Sequence, residues 1–247
     1  VIKAFILFVL ALPLCSLIAS AKKDKPLFYK KINHYPFGDG TTDTYKMRYE
    51  SDKLEIDGYL VRPSNIDKNE KLPLIIYNRG GNRDFGSIDF VQLKFLNFLS
   101  QNGYVVMASQ YRGNLYSEGQ DEFGGADVKD VIQLIEVAKS FKFIDLDNVG
   151  SLGISRGGLM SLLLSKKTDL IKTHVCIGTP SNLFQSIKER PPMYHKVYRF
   201  LIGDTLDSRD AYIKRSPIYW ADQINEPVLL IHGKDDQNVG VNHAISL

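Results

Sequence analysis

The sequence predicts an α/β domain in which a mostly parallel sheet carries helices on both faces. Three observations support this. Apolar runs of strand length recur at residues 74–78, 104–108, 149–152, 173–177 and 228–231. These runs are continuous rather than alternating, as expected of strands buried on both faces. Segments with helical spacing separate them, so right-handed crossovers can link parallel neighbours.

At the amino end, Lys3 precedes an apolar run over 4–14, and Ala19, Ser20 and Ala21 stand before Lys22-Lys23-Asp24. This pattern predicts a secretory signal removed after Ala21, and hence a secreted or periplasmic product. The apolar run is shorter than the roughly 20 residues of a spanning helix, so no stable membrane insertion is expected after processing. Residues 22–43 are mostly polar and read as an irregular arm. Residues 45–49 and 54–60 alternate around Ser51-Asp52-Lys53, which predicts an antiparallel hairpin. Pro73 then opens the first of the continuous strands.

Residues 90–99 and 159–164 are apolar nearly all round, as in helices packed tightly against a sheet. In 127–141, Val128, Val131, Ile132, Ile135 and Ala138 form a helical stripe. Residues 181–226 break the rhythm with Pro191-Pro192 and many aromatics. An insertion of this length reads as a small helical cap over a site. Residues 22–247 then make one domain that includes the cap.

Composition narrows the functional classes. The 247 residues are 44% hydrophobic and 24% charged, with a formal charge of +3. Losing Lys3 with the signal leaves +2. Both signs are mixed along the chain, which argues against a nucleic-acid partner or a membrane surface. Cys176 would be the only cysteine left after processing, so it reads as a buried thiol without a disulfide.

The clearest chemical signal is Gly153-Ile154-Ser155-Arg156-Gly157, directly after one strand and before a helix. A serine nucleophile must stand exposed on a sharp strand-to-helix turn, and small neighbours relieve the crowding there. This context predicts an α/β-hydrolase fold with Ser155 as nucleophile. Acyl transfer also needs N–H groups aimed at the developing oxyanion. The residue after the nucleophile, Arg156, supplies one, and the loop Arg79-Gly80-Gly81-Asn82 supplies the other. Arg79 stands where a histidine often precedes the glycines.

The acid follows the last strand, where Asp235 and Asp236 compete. Five histidines exist: His34, His174, His195, His232 and His243. His232 reads as structural. Only His243 follows the acid, and seven residues is too short a span to return over the serine. The sequence therefore places the catalytic histidine beyond Leu247, predicts that the last part of the fold is missing, and predicts an impaired enzyme from these residues alone. The reaction calls for no metal and no cofactor.

From about Leu54 onward the chain resembles the catalytic domain of the prolyl oligopeptidase family, in particular its small single-domain bacterial members without a propeller. The resemblance rests on Tyr77-Asn78-Arg79-Gly80-Gly81, Gln110-Tyr111-Arg112-Gly113 with Glu118-Gly119, Phe123-Gly124-Gly125-Ala126-Asp127, the Ser155 elbow and His232-Gly233-Lys234-Asp235-Asp236-Gln237-Asn238-Val239. It implies Ser155 as nucleophile, Asp236 rather than Asp235 as acid, and Gly81 and Arg156 as oxyanion donors. It further implies a small-molecule or peptide substrate. A carboxylesterase or carbohydrate deacetylase would use the same residues, and a non-catalytic binding protein would be the alternative of another class.

Overall fold

The computed structural model describes residues 24–32 and 40–247. The expected signal segment, and His34, lie outside the described residues. The first strand, β1 (Phe28–Lys31), falls where the sequence reads as an irregular arm. It pairs antiparallel with the next strand, Phe28 opposite Arg48 and Lys31 opposite Tyr45. All four of its residues are exposed, so no apolar alternation marks it. Backbone pairing holds it instead, together with the stacking of Tyr29 on Tyr45 at 4.4 Å between ring centroids.

The hairpin forms as expected. β2 (Thr42–Ser51) and β3 (Leu54–Pro63) are joined by Asp52 and Lys53, with Ser51 opposite Leu54. Both turn residues have left-handed backbone, φ 50° and 68°, the geometry whose twist matches two antiparallel strands.

The central strands follow as β4 (Leu72–Asn78), β5 (Val105–Ser109), β6 (Ile144–Ile154), β7 (Ile171–Ile177) and β8 (Val228–Ile231). The sheet order is β1-β2-β3-β5-β4-β6-β7-β8, and every pairing from β5 to β8 is parallel. Three helices cover it: α1 (Phe90–Gln101), α2 (Val128–Ala138) and α3 (Arg156–Leu164). A capping box starts α1: Asp89 Oδ1 accepts the Val91 and Gln92 N–H groups at 2.8 and 3.2 Å, and Gln92 Oε1 accepts the Asp89 N–H. Leu93 and Leu96 of α1 pack with Val61, Tyr77, Val106 and Ala108 in one core layer. The larger layer gathers the buried stripe of α2 and the leucines of α3 with Tyr49, Ile76 and Met107. Cys176 is buried here without a disulfide, and burial pushes its thiol up to about 12.

Residues 181–226 fold into short helical pieces. They are α4 (Leu183–Glu189), α5 (Pro191–Met193), a π-helical turn at Tyr194–Tyr198, α6 (Arg199–Leu201) and α7 (Arg209–Lys214), then two 3-10 turns. A last helix, α8 (Asn242–Ser246), follows β8.

One buried ion pair locks the hairpin to the central sheet. The Arg112 guanidinium lies 2.7 Å from Asp130 Oδ1, and the Arg112 N–H donates to Asp130 Oδ2 at 2.8 Å. Asp52 in the hairpin turn takes the same guanidinium at 3.2 Å. Tyr49 completes the join by donating to the Asp130 carbonyl at 2.9 Å. Removing one partner of a buried pair strands the other charge, so Asp130→Ala should cost about 3–5 kcal/mol. Urea unfolding checks this; a loss below about 1 kcal/mol, the level of an exposed pair, would contradict it.

Candidate active site

The parallel strands end in register, with Asn78 opposite Gly153 and Ile154 opposite Ile177. The loops that follow β4, β6, β7 and β8 therefore meet at one edge of the sheet, where open α/β sheets build their sites. A cavity of about 520 Å³ lies there, and Gly81, Ser155, Arg156 and Asp236 all line it. The sequence had singled out these four from widely separated segments.

Ser155 sits between β6 and α3 with φ 55° and ψ −123°. A non-glycine residue in this region is strained by about 1–3 kcal/mol, and surrounding structure must hold it there. Its N–H donates to Ile177 O at 2.7 Å, pinning the turn to the end of β7. Gly157 permits the close approach on the other side, since a Cβ there would collide with the Asn78 carbonyl. The loop after β4 needs a glycine as well. Gly81 has φ 73°, and a Cβ on it would run into the Phe85 carbonyl.

The Arg156 side chain has a role that the sequence reading missed. Its guanidinium is buried beneath the elbow, where Asp121 Oδ2 accepts from Nη1 at 2.7 Å and Asp127 Oδ2 accepts from Nη2. Nη1 also donates to the Gly81 carbonyl at 3.1 Å. The same residue thus lines the cavity and ties down the loop that carries Gly81. Burial alone would lower the Arg156 pKa, but Asp127 and Asp121 outweigh it and raise it above the ordinary value.

Aromatic rings complete the packing. Arg156 lies over Phe123 at 4.8 Å and over Tyr111 at 5.2 Å, and Arg79 lies over Tyr111 at 4.9 Å. Arg79 points away from the cavity and donates to the carbonyls of Gln110, Gly80 and Arg83 at 2.9–3.0 Å. Burial first, and then the nearby Arg156, bring its pKa down to about 10. The residue in the usual histidine place is therefore a brace for the glycine loop. A charged residue inside the elbow was the available signal, because a buried charge requires partners.

Asp235 and Asp236 are now distinguished. Asp235 is exposed and does not line the cavity. Asp236 Oδ1 accepts the N–H groups of Asn238 and Val239 at 2.8 and 3.0 Å. Its Oδ2 faces Gly178, where a Cβ would come within 3.2 Å. Burial alone would raise this carboxyl, but the two backbone donors and His232 outweigh it, and the pKa is lowered. His232 closes the base of the loop, Nε2 donating to Val239 O at 2.8 Å. No histidine lines the cavity among the described residues. His243 is buried with Nδ1 accepting the Ser181 N–H at 3.1 Å and Nε2 facing Glu189 at 3.3 Å. His174 is buried against Ser151, and His195 is exposed.

A comparison with known families matches residues 92–247 to the prolyl oligopeptidase family. The chain belongs to that family. It is 30% identical over 204 residues to the uncharacterized peptidase YtmA of Bacillus subtilis, covering 82% of this chain and 77% of that protein. The Pyrococcus horikoshii acylaminoacyl peptidase superposes with a TM-score of 0.71 at 25% identity, over 83% of this chain. The chain spans 34% of that enzyme's length. The acetyl xylan esterase from Paenibacillus sp. R4 shares the fold with a TM-score of 0.70 at 16% identity, covering 93% of this chain and 81% of the esterase. The fold is the α/β-hydrolase fold expected from the elbow.

The Arg156 network makes a direct prediction. Arg156→Lys keeps the charge and the backbone N–H, but an ammonium cannot span Asp121, Asp127 and the Gly81 carbonyl together. It should lower stability by about 2 kcal/mol or more, because part of a buried charge cluster loses its partners. Denaturant unfolding measures the loss; a change within about 0.5 kcal/mol, typical of surface positions, would contradict this account.

Proposed function

We propose that this member of the prolyl oligopeptidase family hydrolyses an ester or amide through an acyl-enzyme on Ser155. The carrying observation is the convergence of Ser155, the Gly81 and Arg156 backbone and Asp236 on one cavity. Ser155 Oγ would attack the carbonyl carbon and pass its proton to a histidine. The N–H groups of Gly81 and Arg156 would hold the oxyanion. Asp236, kept ionised by its backbone donors, would orient the histidine and stabilise its cation. Each described histidine is engaged elsewhere or exposed away from the cavity, so the reading takes its base from a histidine outside the described residues. Relatives described as peptidases support a peptide substrate. Residues 181–226 would act as a cap, since Arg190 and Met193 from that segment line the cavity. Residues 1–21 would direct export.

The full-length protein should be labelled by a fluorophosphonate at Ser155, and Ser155→Ala should abolish the labelling. Asp236→Asn should lower kcat by about 10⁴-fold, as loss of the triad carboxylate does elsewhere, while Asp235→Asn changes it less than about tenfold. The lowered Asp236 pKa fixes the sign of the pH dependence. Its support is present above the ordinary carboxylate range and is lost only as pH falls below that range. The acid limb of kcat/KM should therefore report the histidine, at about pH 6–7. Labelling that survives Ser155→Ala, or reversed effects of the two aspartates, would refute the assignment.

A further inference from the structure

The charge on the cavity wall is uneven. Three residues with ionisable side chains line it: Arg156, Arg190 and Asp236. The Arg156 guanidinium faces inward onto Asp121 and Asp127. Asp236 accepts two backbone N–H groups. Arg190 makes no ion pair among the described residues. Its neighbour Glu189 is held instead by His243 Nε2 and the Gly240 N–H, each at 3.3 Å.

The backbone explains this placement. Arg190 ends α4, its N–H donating to Ser186 O at 2.9 Å. Pro191 follows and disfavours a helical residue before it. Arg190 accordingly has φ −139° and ψ 74°, at the corner between α4 and α5. Glu189 fastens that corner to the loop after Asp236, and Met193 stands beside Arg190 on the wall. Phe123, Ile177 and Val239 make much of the remaining lining apolar. The cavity thus combines apolar walls with Arg190, exposed and without an ion pair among the described residues, whose planar guanidinium fork matches a carboxylate.

We propose that Arg190 is a specificity residue that selects substrates carrying a carboxylate close to the scissile bond. Acidic peptides and half-esters or half-amides of dicarboxylic acids are the chemical class. The proposal rests on the reading that Ser155 attacks a carbonyl in this cavity. Arg190 is exposed, so solvent limits the selectivity.

The test compares N-acetyl-glutamate 4-nitroanilide with N-acetyl-glutamine 4-nitroanilide, which differ in charge and little in shape. Full-length protein should show kcat/KM about five- to tenfold higher for the glutamate compound, the scale of a partly exposed charge-assisted contact. Arg190→Gln should bring that ratio to about one, and Arg190→Glu should invert it by like-charge repulsion. A ratio taken within one preparation cancels any difference in the amount of folded enzyme. A ratio unchanged in both variants would overturn the proposal. A second arm needs no turnover: calorimetry of the same compounds on Ser155→Ala should show tighter binding of the glutamate compound, lost when Arg190→Gln is added. If neither compound is turned over, the proposed reaction fails and calorimetry alone judges Arg190. Equal or undetectable binding of the two would then overturn the inference.

Discussion

A guanidinium buried under a catalytic-type elbow is a demanding constraint. Removing a charge from water costs several kcal/mol unless partners surround it, and Arg156 is 1% exposed. Its partners come from distant parts of the chain: Asp121 and Asp127 from the segment before α2, and the Gly81 carbonyl from the loop after β4. The rings of Tyr111 and Phe123 close over it. Satisfying one charge therefore fixes the relative positions of the loops after β4, β5 and β6. Two of those positions carry the N–H groups assigned to the oxyanion.

The same network accounts for where strain accumulates. Tyr111, Phe123 and Ser155 are non-glycine residues with left-handed backbone, φ 63°, 50° and 55°. Each costs free energy locally and persists only where neighbours over-determine it. Tyr111 is held between two guanidinium groups, and Phe123 packs on Arg156 and against Tyr198 at 5.0 Å. Arg79 adds to the same device, spending its donors on carbonyls that shape the glycine loop. The site is thus held rigid from below, which is the condition for preorganised donors to act without reorganisation.

Legibility in the sequence follows the range of the interactions. The hairpin, the buried strands and the elbow were readable because periodicity, turn residues and glycine spacing are local signals. β1 was not, because its residues are all exposed and only its pairing with β2 defines it. The contacts of Arg156 with Asp121 and Asp127 span 35 and 29 residues, and no local pattern announces them. Asp127 appeared in the sequence only as part of a family-like segment, without a stated reason for its chemistry, and Asp121 was not singled out at all. The choice between Asp235 and Asp236 likewise came from resemblance, and the structure supplies a physical difference: Asp236 is half-buried on the cavity wall and takes two N–H donors, whereas Asp235 is exposed.

The most direct measurement is a crystal structure of the full-length protein carrying a phosphonyl group on Ser155. The account predicts a phosphonyl oxygen about 3 Å from both the Gly81 and Arg156 N–H groups, with an imidazole between Asp236 Oδ2 and the serine oxygen. It also predicts that Arg156 still joins Asp121, Asp127 and the Gly81 carbonyl in that adduct. An oxygen pointing away from these two donors, or a Gly81 loop released from Arg156, would contradict it.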